Sequence, residues 1–197
     1  HGVQWERFES PHFFEIATET QRTTLLFNGL SFPRKTGPRM LDSMLIVAGD
    51  TARRFRFGIA IDRDYPMQSA LDSLVAPVVL ETANGPPPAG RSGWLFHLDA
   101  KNVQIVQILP LQEPQPADEE TDVSADEGRG YGFRLRLCET EGRQRPAQLR
   151  CFRTPTYACQ RDFRGRRMAT LRIIDDAVYL EPAAYEIIEL ELRFGET

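Results

Sequence analysis

Phe133-Arg134-Leu135-Arg136-Leu137-Cys138-Glu139-Thr140-Glu141-Gly142 is the stretch that decides the fold. Phe133, Leu135 and Leu137 alternate with Arg134 and Arg136, the period-two pattern of a strand with one buried and one wet face. Glu139-Thr140-Glu141-Gly142 ends that strand in a turn, where glycine takes the positive φ that other residues avoid. The spacing predicts a second strand returning through Ala147–Phe152, so that Phe133–Phe152 reads as a hairpin, in which Cys138 and Cys151 either face each other across it or, the favoured reading, are small buried free thiols.

The same periodicity extends in both directions. Arg54–Asp62 places Phe55, Phe57, Ile59 and Ile61 on one face, and with the apolar run Met40–Val47 it predicts a hairpin over Met40–Asp62. Before it, Trp5–Glu9 alternates like a strand, and the β-branched and aromatic residues of Phe13–Phe27 predict two short strands broken near Glu19–Arg22. Asn28-Gly29 reads as a turn and Pro33–Pro38 as a break. Met67, Ala70, Leu71, Leu74 and Val75 fall at helical spacing behind Pro66, which predicts a short helix that Ala76-Pro77 stops. Val78-Val79-Leu80 begins a strand that ends in the loop Asn84–Gly93. Trp94–Leu98 with Val103–Leu109 reads as a further hairpin. Thr154–Cys159 and Asp162–Arg167 read as connections, and Ala169–Ile174, Ala177–Leu180 and Ile187–Phe194 as closing strands.

Four of these segments resemble one family. Arg136-Leu137-Cys138-Glu139-Thr140-Glu141-Gly142 is similar to the R-L-x-E-x-x-G turn in the C-terminal β-domain of glycoside hydrolase family 38, the class II α-mannosidases. Arg53–Ala60 resembles that domain's h-R-F-x-Y-A-L strand, and Asn102–Ile108 its n-V-x-v-x-x-l-K strand, with Pro110 near the place of the lysine. Pro182–Ile187 resembles its terminal P-[FY]-E-I motif, with Ala183-Ala184 inserted and Glu189-Leu190 replacing the residues that follow. The resemblance spans roughly residues 39–194, most of the chain, by order and spacing of the motifs. It implies a galactose-mutarotase/mannosidase C-terminal-like β-sandwich cut from a longer chain. The family's retaining hydrolysis uses a carboxylate nucleophile and a zinc, both in an N-terminal catalytic domain that this sequence lacks. The partner it implies is that catalytic domain.

Composition sets the limits. At 197 residues, 41% hydrophobic and 26% charged, the chain is an ordinary globular one. Its net charge of −4 is concentrated in residues 112–130, which hold Glu113, Asp118, Glu119, Glu120, Asp122, Asp126 and Glu127 against Arg129. That window reads as an acidic, flexible, solvated loop, with an acidic docking tail as the sharper alternative. The remainder carries 23 basic against 21 acidic residues, which gives no basic face for nucleic acid. Neither a signal peptide nor an apolar run long enough for a membrane is visible, and the sequence suggests a cytoplasmic location. Three cysteines without C-x-x-C spacing form neither a disulfide framework nor a zinc site.

Catalytic and metal-ligating candidates are none. His1, His12 and His97 lack partners at metal-binding spacing, and Gly-x-Ser-x-Gly and phosphate-loop patterns are missing. A retaining carboxylate pair must lie about 5 Å apart, and no spacing here implies one; Asp175-Asp176 reads as a hairpin tip. Four residues are candidates for carbohydrate contact. Arg136 and Glu139 either lean toward a substrate cleft or form a cross-strand or turn-fixing ion pair. Trp94 and Tyr131 either stack on a sugar ring or fill the core. The whole reads as one all-β antiparallel sandwich over 1–197 with about ten to fourteen strands. It is expected to be a non-catalytic accessory domain without a cofactor of its own, with a carbohydrate-binding module for mannosides as the alternative.

Overall fold

The computed structural model describes residues 9–30, 32–38, 40–81, 85, 92–111 and 130–195. Among these, the fold is all-β and antiparallel with one short helix, as the alternation predicts. Where the sequence reads as a single sandwich, the chain divides into two compact units, His1–Glu81 and Thr82–Thr197. Most of the acidic window lies outside the described residues, as do Trp5–Phe8 and most of the Asn84–Gly93 loop.

In the first unit, β1 (Phe13–Ala17) and β2 (Arg22–Leu26) form the expected pair, and β5 (Gly58–Ile61) extends it on the far side of β2. The expected Met40–Asp62 hairpin does not form. Instead β4 (Met40–Ser43) pairs with β3 (Pro33–Gly37), so the stretch read as a break is a strand. Proline costs least at a strand's first residue, where no ladder donor is needed, and Pro33 sits there. Alternation groups Ile59 and Ile61 on one face of β5, as observed, but that apolar face is the exposed one, and alternation says nothing of the strand's neighbour, which the free edge of β2 supplies. The helix α1 (Pro66–Leu74) begins at its proline and ends before Val75, as predicted, and packs against β1 and β2. Val78–Leu80 forms no strand and is more than 80% exposed apart from Leu80 at 80%.

Thr24 and Leu26 are buried, whereas the opposite sheet face carries Ile16, Ile59 and Ile61 exposed at 46%, 72% and 46%. Register confirms that these share one side, since Ile16 lies opposite Thr23, which lies opposite Ile61.

The second unit is a sandwich of two sheets. Five strands run in the order β11 (Arg167–Thr170), β10 (Tyr157–Arg161), β14 (Ile187–Arg193), β8 (Gly132–Glu139) and β7 (Val103–Leu111). Four run in the order β12 (Ile173–Ile174), β13 (Ala177–Leu180), β9 (Ala147–Cys151) and β6 (Phe96–Leu98). Leu135, Leu137, Leu190 and Leu192 from one sheet meet Leu149, Val178 and Leu180 from the other in one buried cluster. Fully burying a leucine contributes about 1.5–3 kcal/mol, so this cluster is what holds the unit together.

Both hairpins expected here are therefore corrected. β8 and β9 lie in different sheets, as do β6 and β7, and each connection crosses the sandwich. The reason is occupancy: β8 is already flanked by β7 and β14, and β9 by β13 and β6. Cys138 consequently does not face Cys151; the three cysteines are free, with Cys151 and Cys159 buried. Tyr157–Arg161, read as a connection, is a full strand beside β14. Asp175 and Asp176, with φ of 48° and 70°, make the tight turn between β12 and β13, as expected.

Candidate functional site

Glu139 ends β8 and is 1% exposed. Its carboxylate accepts hydrogen bonds from Asn102 Nδ2 at 2.9 Å, from the Glu141 and Gly142 amides at 3.1 and 2.8 Å, from the Tyr185 amide at 2.8 Å and from the Arg143 backbone. One side chain thus ties the start of β7, the turn after β8 and the turn before β14. Burial alone would push this carboxyl up, but the donors outweigh it and hold its pKa below the ordinary 4.5. The turn reading of Glu139 is accounted for by amides rather than by a cation.

Arg136 pairs elsewhere. It lies directly opposite Glu189 on β14, and its Nε donates to Glu189 Oε1 at 3.1 Å, with a second guanidinium nitrogen on the same oxygen. Its Cζ also sits 5.4 Å from the Phe163 ring centroid. Next along the same face, Glu191 receives Arg161 Nε at 2.6 Å and Arg193 Nε at 2.8 Å, with Arg134 at 3.6 Å. Burial would raise the Glu191 pKa, but Arg193 and Arg161 overcome that and lower it. Glu189 and Glu191 are 6% and 3% exposed although they point away from the core, because arginine stems lie over them. Alternation marks them as a wet face; the overlooked signal is Arg-x-Arg on one strand and Glu-x-Glu on its neighbour.

Trp94 and Tyr131 are exposed, at 55% and 68%, rather than core. Tyr131 precedes β8, and its carbonyl accepts from the Phe194 amide. Trp94 precedes β6 and stands edge-on to the exposed His97 at 6.5 Å. Phe96 and Phe133 touch at 5.4 Å between the sheets, which puts both aromatics at the same end of the sandwich. Glu139 is at the other end, about 25 Å away along β8 by strand rise. The four candidates thus separate into an aromatic end, a surface ion pair and a buried turn anchor.

Among the described residues, no group of three or more His, Cys, Asp or Glu comes together. No described helix is long and apolar enough to cross a membrane. No family model matches the chain, and no curated protein matches it either.

Proposed function

We propose that the chain is a non-catalytic accessory β-domain of an α-mannosidase-like glycoside hydrolase, which packs on the catalytic domain and helps shape its cleft. The observation that carries this reading is the uncovered apolar face of the β1–β2–β5 sheet, with Ile16, Ile59 and Ile61 exposed and Phe57 beside it at 51%. Contiguous exposed apolar surface marks an interaction site, and β5 leaves one strand edge without a partner among the described residues. Any zinc and nucleophile belong to the catalytic domain in this reading, and a cytoplasmic location accords with three free cysteines.

The test is hydrolysis of p-nitrophenyl α-mannoside by the parent polypeptide, with its native sequence and with Ile59→Glu plus Ile61→Glu. Turnover that falls together with association of the domains is the expected result. A parent without mannosidase activity sinks the assignment.

A second reading, a carbohydrate-binding module for mannosides, is favoured by the exposure of Trp94 and Tyr131 at one end of the sandwich. Aromatic rings in that setting stack on sugar faces. A glycan array settles it: mannoside binding that Trp94→Ala abolishes makes this the function, and a blank array removes it.

A further inference from the structure

The outer face of the five-stranded sheet carries two carboxylates beneath four guanidinium groups. Glu189 and Glu191 lie at the bottom, with side chains 7% and 4% exposed. Arg161 and Arg193 cover Glu191 at 10% and 12%, while Arg134 and Arg136 reach the surface at 33% and 39%. The carboxylates are inside and the tips of Arg134 and Arg136 outside, so the charge this face presents among the described residues is guanidinium. Arg134 is the least committed of the four. Among the described residues its ion-pair contact is the 3.6 Å approach to Glu191, and its buried Nε has no hydrogen-bond partner there.

Apolar side chains flank this arginine row. Leu109 lies opposite Arg134 across β7–β8 and is 43% exposed. At the other end stand Ile187, 48% exposed, and Phe163, 65% exposed and stacked on Arg136. An arginine row set between apolar side chains matches an extended chain with two carboxylates between apolar residues on one and the same face. Arginine forks bind carboxylates bidentately, and the flanks receive the apolar side chains at either end. A polyanion without apolar groups leaves those flanks uncovered.

We propose that this face binds an extended acidic peptide segment of another protein, with Arg134 and Arg136 holding its carboxylates and Leu109 and Phe163 its apolar residues. The inference is independent of the mannosidase reading.

The experiment titrates the full chain with a fluorescent peptide, Leu-Ser-Glu-Ser-Glu-Ser-Leu, whose one extended face reads Leu, Glu, Glu, Leu. The competitors are heparin and a Lys/Leu peptide. Saturable, salt-sensitive binding of the acidic peptide alone is expected, weakened about tenfold by Arg134→Gln and partly restored by Arg134→Lys. Arg134→Gln is the variant of choice because Arg161 and Arg193 remain on Glu191; circular dichroism and melting confirm its fold. Leu109→Ser tests the apolar flank and should also weaken binding. No binding, or equal affinity in Arg134→Gln, overturns the proposal. So does heparin bound as well as the peptide with Leu109→Ser without effect, since the face would then read charge alone. Binding that emerges only after Asp and Glu within 113–127 are neutralised overturns the external partner, because the occupant is then the chain's own acidic run.

Discussion

Glu139 shows how one carboxylate can decide a turn. Several donors converge on a side chain withdrawn from water, and the amides of the turn are among them. Glu139→Ala would strand those donors, at a cost of about 3 kcal/mol, and chemical denaturation should show it as a lower midpoint with an unchanged slope. Gly142 completes the anchor: its φ is 66°, and a Cβ there would stand 2.7 Å from the Tyr185 ring. Acid should act on the same residue. The folded pKa values of Glu139 and Glu191 lie below the ordinary 4.5. Their contribution is therefore complete above that value and lost as pH falls through the folded ones. Melting temperature should fall steeply below about pH 4.5, and less so in Glu139→Gln; a flat profile down to pH 3 would contradict the anchor. Cys151 behaves oppositely. Burial, helped by Asp176, pushes its thiol up to about 12, so a thiol reagent at pH 8 should label it only as the sandwich opens.

At the scale of the element, β14 and β8 form a charged ladder outside and a leucine ladder inside. The two glutamates differ in what their loss would leave behind. Glu191→Gln leaves Arg161 and Arg193 nearly buried and mutually repelling, at a cost of about 3 kcal/mol. Glu189→Gln leaves only Arg136, which is 39% exposed and can turn to water, so it should cost about 1 kcal/mol or less. Melting curves of the two variants check that order. Much of this was legible in the sequence. The period of Phe133–Leu137 and Ile188–Phe194 identified strands and inward faces, and Pro66 with its helical spacing identified α1. Partners were not legible, because alternation is local and pairing is not. The connections β6 to β7 and β8 to β9 look like hairpins until the occupied flanks of each strand are known. The candidate site was legible in part: Arg136 and Glu139 stood out as motif residues, but their separate partners Glu189 and Asn102 lie far away in sequence.

At the scale of the molecule, apolar material is distributed unevenly. The large buried cluster belongs wholly to the second unit, whereas the first leaves isoleucines and Phe57 in water. Two bodies so unequally packed should not melt as one. Calorimetry should resolve more than one transition, or a calorimetric enthalpy exceeding the van't Hoff value; a single two-state peak would show that the units are coupled. The place of β14 between β8 and β10 has a consequence for how the sandwich is made. Leu135 must wait for Leu190, which leaves the ribosome only after β9 to β13 have emerged. Until then β8 has an open edge and an uncovered leucine row, the state in which nascent chains stick to one another. Contacts so distant in sequence also slow the search for them. Yield on expression should therefore rise when translation is slowed or a holding chaperone is supplied, even though the finished protein is unchanged.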